Sequence, residues 1–425
     1  MRLATRLQGL QANVFADMDR AKQEAIAAGL PLWDLSLGSS DLPVAPHIVA
    51  AIQDSLQDSH SFGYTLFGAT ADLRRAIAQW LVVKFGVEVD PETEVLPLIG
   101  SQEGTGHLPL AVLNPGDMAL LQNPGYPSHY GGVALAGGVP YGMELRPETG
   151  FLPQFDRIPG DVLARTRLMV LSYPHNPTTA IAPREFWEEA LAFARRHDLV
   201  LAHDFPYVDF ALDGSLPPSV LQVDRGRERS LEFFSLSKSY HMGGLRVGFA
   251  VGNRELIGAL RRIKAVVDFN QYRGILRGAI AALTGPQDGL GHTQQILRER
   301  RDAAVQAFRA IGWTVPVPAA TMYLWAPLPG GGNSLRFCQE LVKNTGVALA
   351  PGSGFGSAGE GTCVWPWCSL RRFCRRRSRR SANFSDKLRS IAVLHSDETR
   401  QVGLQGRSPR IGSIRLSLGR KTVSF

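Results

Sequence analysis

Six short apolar runs recur in the middle of this chain: Val95–Ile99, Met118–Gln122, Leu168–Ser172, Leu199–His203, Leu231–Leu236 and Arg246–Val251. Each is bounded by Gly, Pro, Asn or Asp, and none alternates cleanly between apolar and polar residues. Runs of that kind suit strands covered on both faces, because a strand with one wet face alternates. The stretches between them carry helical periods. In 184–197, Phe186, Ala190, Phe193, Ala194 and His197 form one stripe, and Pro183 stands where a first helical turn tolerates proline. Alternation of strand and helix over roughly 69–285 predicts an α/β fold built on a mainly parallel sheet.

The flanks differ. Residues 14–29 read as an amphipathic helix closed by Gly29, followed by a strand at Leu32–Leu37 and the turn Gly38-Ser-Ser-Asp-Leu-Pro. After a helical stretch at 254–311 come two more strands, Met322–Trp325 and Val347–Ala350, with a helix at 334–344 between them. These pieces predict a large domain over 46–290 and a smaller α+β domain assembled from 1–45 and 291–361.

The net charge of +8 belongs to the C-terminus. Residues 362–425 hold 15 Lys and Arg against 3 Asp and Glu, whereas residues 1–361 hold 31 against 35. The main body therefore gives no reason to expect nucleic acid. No apolar stretch approaches the roughly 20 residues that span a bilayer. The N-terminus lacks the apolar core of an export signal, so a cytoplasmic location is expected.

Six polar features follow strands, where open parallel sheets place their ligands. Gly100-Ser-Gln-Glu-Gly opens a helix, either as an anion site or as a simple glycine-bounded cap. Tyr126, in Asn123-Pro-Gly-Tyr-Pro-Ser, is a core tyrosine at a turn or a ring that stacks on an aromatic ligand. Asn176 lies between prolines and is a turn former or a donor to a phenolic oxygen. Asp204 ends an apolar run, where a carboxylate is costly unless paired; a turn cap or a protonated pyridine nitrogen would each pair it. Tyr207 follows three residues later. Lys238, in Ser235-Leu-Ser-Lys-Ser, is a polar turn residue or a lysine that forms a Schiff base with an aldehyde, with Arg246 eight residues on to hold a phosphate.

Taken in order, these motifs resemble the fold-type I pyridoxal 5′-phosphate (PLP) enzymes of aminotransferase class I/II, over about residues 10–361. The resemblance implies a seven-stranded sheet with flanking helices. It implies that Lys238 holds PLP covalently, that Asp204 keeps the pyridine nitrogen protonated, and that Asn176 and Tyr207 bond the ring oxygen. It further implies that Tyr126 stacks on the ring and that Ser101, Gln102, Ser235, Ser237 and Arg246 bind the phosphate. Gly38 and Asn176 would face the substrate. Tyr64, in Phe-Gly-Tyr-Thr, resembles the family tyrosine that reaches the partner subunit's cofactor phosphate, which implies a homodimer. No metal is implied. Amino-group transfer from an amino acid to a 2-oxo acid follows, with Lys238 moving the proton. Asp34-Leu-Ser-Leu-Gly-Ser-Ser-Asp-Leu-Pro and Tyr323-Leu-Trp-Ala-Pro-Leu-Pro look most like members acting on LL-diaminopimelate or its succinyl derivative in lysine biosynthesis, with 2-oxoglutarate as acceptor. A PLP-dependent C–S lyase is the alternative, since cofactor motifs do not fix the reaction type.

The chain departs from the family at Thr362-Cys-Val-Trp-Pro-Trp-Cys, where a strand resembling Tyr-Val-Arg-Ile-Ala-Leu is expected. That strand's arginine would fork onto the substrate carboxylate, and here no arginine appears before Arg371. Codons for the observed residues, read one base earlier, permit Tyr-Val-Arg-Leu-Ala-Leu-Val. A one-base shift near codon 362 would therefore explain residues 362–425, and would leave a protein that binds PLP but grips substrate poorly. Two other readings of the tail are a solvated basic segment that could bind nucleic acid or an anionic surface, and a zinc site from Cys363, Cys368, Cys374 and His395. The cysteine spacings lack the close pairs that zinc sites use.

Overall fold

A computed structural model describes residues 1–10 and 14–367. Seven strands form the larger sheet: β2 (Val95–Leu98), β3 (Met118–Asn123), β4 (Val139–Glu144), β5 (Thr166–Ser172), β6 (Val200–Asp204), β7 (Ser230–Ser235) and β8 (Gly248–Gly252), in the order β2-β8-β7-β6-β5-β3-β4. Pairings β4–β3, β3–β5, β5–β6 and β6–β7 are parallel, and only β8 runs against its neighbours. The expected mainly parallel α/β sheet is therefore present. All six predicted strands form.

Burial explains why these runs carry no polar alternation. Leu120, Met169, Leu171 and Leu201 pack into one apolar cluster, while Ala119, Leu121, Leu168, Val170 and Ala202 pack into another. Neighbouring residues on a strand point to opposite faces, so both faces of the sheet are covered by helices. Trp80 wedges edge-on against Phe85, Phe234 and Phe249 at centroid distances of 5.4–5.9 Å, which anchors the helix Ala71–Phe85 to β7 and β8.

In this sheet one strand escaped the sequence reading. β4, Val-Pro-Tyr-Gly-Met-Glu, is a sheet edge with several exposed residues. Proline and glycine weaken strand propensity, but an edge tolerates both.

The second sheet has four strands in the order β1-β10-β11-β9: β1 (Trp33–Leu35), β9 (Tyr323–Pro327), β10 (Val347–Pro351) and β11 (Thr362–Pro366). The helices Val14–Ala27 and Ser334–Thr345 occupy the predicted segments beside it. β11 lies where the sequence turns unusual, and it carries the smaller domain past its expected end at residue 361. It pairs antiparallel with both β9 and β10, and Cys363, Val364 and Trp365 are buried. Backbone pairing and an apolar composition suffice for a strand here, whatever side chains the position was selected for. Burial pushes the Cys363 thiol up to about 12, so this cysteine is inert rather than a ready zinc ligand. Cys368, Cys374, His395 and the basic run lie outside the described residues. No helix among the described residues is long and apolar enough to cross a membrane.

Candidate active site

Strand direction brings the predicted residues to one edge of the large sheet. β3, β5, β6 and β7 end there, and so does β2, because it runs antiparallel to β8, which itself opposes β7. Their trailing residues are lateral neighbours: Ser172 pairs with Asp204, Asp204 with Phe233, Ser235 with Gly248, and Gly248 with Leu98.

The helix Ser101–Val112 starts immediately after β2 through Gly100, whose φ of +78° suits glycine. A Cβ there would stand 2.6 Å from the Arg246 guanidinium. Arg246 thus lies against the open amides of the helix start, an arrangement that attracts an anion from two directions. Glu103 steadies this turn by accepting the Ile99 amide at 2.5 Å and bonding Lys264 at 3.0 Å. Burial raises the Glu103 carboxyl, against the pull of Lys264. Glu103, His107 and Asp268 cluster closely enough to share a cation, but the Lys264 ammonium already sits between Glu103 and Asp268.

Arg246 corrects one expectation. It does not open a strand; it adopts φ +51° at the end of the turn Gly243–Leu245, and β8 starts at Gly248. Ser235 accepts the Ser237 amide at 3.2 Å and so starts the single helical turn Leu236–Ser239 that carries Lys238.

Asp204 ends β6 at 5% exposure. His129 Nε2 lies 3.1 Å from its Oδ2, while its Oδ1 meets no partner. A buried carboxylate with one unpartnered oxygen is costly. The Asn176 side-chain oxygen is also buried without a partner. The Tyr207 hydroxyl bonds the Tyr323 hydroxyl at 2.7 Å, and burial holds the Tyr207 phenol well above its ordinary range, with Tyr323 adding to the effect. Lys238 Nζ lies 5.7 Å from the Tyr207 ring centre and donates to the Gly38 carbonyl at 2.8 Å. Tyr126 bonds Gln102 at 3.3 Å and sets its ring edge-on to His129. Its phenol is raised, chiefly by burial.

Tyr64 stands apart. It is 87% exposed, and its ring lies against Phe269 rather than against Lys238 or Arg246.

Three residues of this arrangement were missed by the sequence reading. His129 lies in the first turn of the helix Pro127–Leu135 that Tyr126 caps, three residues on, a spacing that was available as a signal. Tyr323 opens a motif quoted above for its resemblance, but nothing local marks its hydroxyl as a partner of Tyr207. His241 bonds Ser40 at 2.8 Å and Thr293 at 3.0 Å, tying the Lys238 turn to the Gly38 loop.

A family model for aminotransferases of class I and II matches residues 32–364. The chain belongs to that family. The LL-diaminopimelate aminotransferase of Syntrophobacter fumaroxidans is 41% identical over 84% of this chain and 92% of its own length. That of Dehalococcoides mccartyi is 42% identical over 85% and 93%. Among solved structures, a probable N-succinyldiaminopimelate aminotransferase from Thermus thermophilus superposes with a TM-score of 0.82 at 38% identity, covering 89% of this chain and all of the other. Substrate-bound BacF from Bacillus subtilis gives 0.84 at 31%, covering 94% and 98%. The protein is thus a PLP-dependent aminotransferase, exchanging amino groups between amino acids and 2-oxo acids. Its residues fit that cofactor. The aminotransferase offers an amine at Lys238, an unpartnered buried carboxylate oxygen at Asp204, and a cradle at Gly100 beside a guanidinium that any Cβ would fill.

Proposed function

We propose that this aminotransferase takes the amino group of LL-diaminopimelate, with the 2-oxoglutarate–glutamate pair as its other substrate, in lysine biosynthesis. The half-partnered Asp204 is the observation that carries the cofactor reading. His129 occupies one carboxylate oxygen, and the other suits the protonated ring nitrogen of PLP. Ser101, Gln102, Ser235, Ser237 and Arg246 would hold the phosphate, Tyr126 would cover the ring, and Asn176 and Tyr207 would bond its oxygen.

When bound, PLP supplies an aldehyde for the amino group and a ring that draws electrons away from the donor's Cα. Lys238 Nζ would take the proton from the donor's Cα and hand it to the carbon that was the cofactor's aldehyde, and the second half-reaction would run the same transfer in reverse. Asp204 would hold positive charge at the ring nitrogen, and Tyr207 stays a neutral hydrogen-bond donor because burial disfavours its phenolate. Gly38 and Asn176 would border the donor.

Several features support a homodimer in which Tyr64 reaches the partner's phosphate. Phe62, Tyr64, Leu66, Val266, Val267 and Phe269 are all exposed, and Tyr64 packs on Phe269. Apolar exposure of that extent usually marks an interface. A cytoplasmic location belongs to the same proposal, on the ground that the named relatives are biosynthetic enzymes.

The choice of donor rests on the relatives' names. A second reading has one specific observation behind it: the family match ends at residue 364, and the relatives are covered over 92–93% of their lengths. The end of the fold that would grip the substrate carboxylate is then altered, and the chain binds PLP but turns over slowly. Half-reactions with a panel of amino acids, followed by cofactor absorbance, separate these cases. LL-diaminopimelate should convert the bound cofactor fastest. Faster conversion by another amino acid defeats the donor assignment, and release of sulfide or pyruvate from a sulfur amino acid indicates a lyase.

A further inference from the structure

A histidine and a glutamate are sealed from water beneath the candidate site. His203 precedes Asp204 on β6, so its side chain points to the opposite face of the sheet. Glu232 is its register partner on β7, and both side chains have no exposed surface.

Donors and acceptors around the ring determine its protons. Nε2 lies 2.8 Å from the Tyr173 carbonyl oxygen, which can only accept, so Nε2 carries a hydrogen. Nδ1 lies 2.6 Å from Glu232 Oε1, and one proton must lie between them. Oε1 also accepts the Val220 amide at 3.0 Å, and Oε2 accepts the Ser219 hydroxyl, whose own oxygen accepts the Leu221 amide at 3.1 Å. Two further donors aimed at the carboxylate favour its ionised form and leave the shared proton on the ring. The ring is also flanked by π faces, with Trp187 at 4.1 Å and Phe205 at 4.4 Å between centroids. Aromatic faces attract a cation, and the pair as a whole is neutral and fully bonded, which offsets the cost of its burial.

We propose that His203 is a buried imidazolium paired with Glu232, and that it acts as a positioning residue for the two cofactor-facing side chains, Asn176 and Asp204. Its Nε2–H grips the first carbonyl beyond β5, at the head of the Tyr173–Asn176 turn. Its own strand carries Asp204 as the next residue. One charged side chain therefore fixes the offset between the loop bearing the unpartnered Asn176 oxygen and the strand end bearing the unpartnered Asp204 oxygen. The charge assignment stands on the hydrogen bonds alone; the positioning role rests on the cofactor reading above.

Neutron diffraction from deuterated holoenzyme crystals tests the charge. Deuterium on both ring nitrogens and none on Glu232 is expected. A bare ring nitrogen, or deuterium on Glu232, overturns it. The positioning role is tested by Glu232→Gln against Ser219→Ala, which trims support for the carboxylate without touching the ring contact. Glu232→Gln should raise the PLP dissociation constant by about tenfold, the scale on which outer partners of liganding groups act. It should also move the pH midpoint of the bound cofactor's absorbance, while Ser219→Ala loses melting temperature but keeps both. Loss of affinity in simple proportion to melting temperature in both variants, or wild-type affinity and midpoint in Glu232→Gln, contradicts the role. A wild-type protein that binds no PLP overturns the cofactor reading and the positioning role with it, and the charge of His203 is then read from crystals of the cofactor-free protein, with the same two outcomes.

Discussion

Lys238 Nζ donates a 2.8 Å hydrogen bond to the Gly38 carbonyl, so the amine of the large-sheet turn is held by the loop that leaves β1. Gly38 is also the floor under Tyr323: a Cβ there would stand 2.3 Å from the Tyr323 hydroxyl. Gly38→Ala should push Tyr323 away from Tyr207 and shift the acceptor of Lys238. Overpacking of this kind costs about 1–3 kcal/mol. If that falls on the proton-transfer step, the half-reaction slows by about 5- to 150-fold. Stopped-flow absorbance after mixing with amino donor measures it, and a wild-type rate removes Gly38 from the site.

Asp204 and His129 should separate by size of effect. Asp204→Ala removes the charge proposed to face the ring nitrogen, and a lost charge-assisted hydrogen bond is worth about 1.5–3 kcal/mol. PLP should then bind about 10- to 150-fold more weakly. His129→Ala keeps the carboxylate and removes one of its partners, so its loss should be smaller. Fluorescence titration with PLP gives both constants. Equal losses would mean that Asp204 does not meet the cofactor directly.

Much of this arrangement was legible in the sequence because each motif follows a strand and strand ends converge in a parallel sheet. Lys238, Asp204 and Asn176 needed only that rule. Arg246 was grouped in the sequence with Ser101 and Gln102, and the structure sets it beside Gly100, but its backbone was misassigned, because a left-handed residue before β8 reads in sequence as one more apolar-strand neighbour. His129, Tyr323 and His241 act through contacts with residues 75, 116 and 201 positions away, and no local pattern encodes such distances. β4 was hidden by a proline and a glycine that an edge tolerates.

Acid should loosen the Lys238 turn. Burial holds His241 neutral and lowers its ring to about 4, from 6.5 for the free side chain. As pH falls below about 6.5 the unfolded chain takes up this proton and the folded chain does not, so stability is full above that pH and declines toward pH 4. The contribution reaches about 3 kcal/mol at its low-pH limit. His241→Asn, which tolerates the φ of +59°, should remove that part of the slope. Urea unfolding at pH 7 and pH 4.5 compares the two proteins, and parallel losses would show that His241 is not the titrating group.

Tyr64 should matter only in an assembled dimer. At 87% exposure it contributes little to its own subunit's packing. Tyr64→Phe should leave the melting temperature of PLP-free protein unchanged and weaken PLP by about 2- to 13-fold, the equivalent of one ordinary hydrogen bond. Sedimentation velocity should show a dimer for both proteins. A monomeric wild type that binds PLP normally would rule out the shared phosphate site.

Lys238 is the residue proposed to carry the cofactor. Incubating the protein with PLP, reducing with borohydride and mapping the labelled peptide by mass spectrometry tests it without requiring turnover. The label is expected on Lys238 alone, and it should vanish in Lys238→Ala. Label on another lysine, or none, would show that Lys238 does not hold the cofactor.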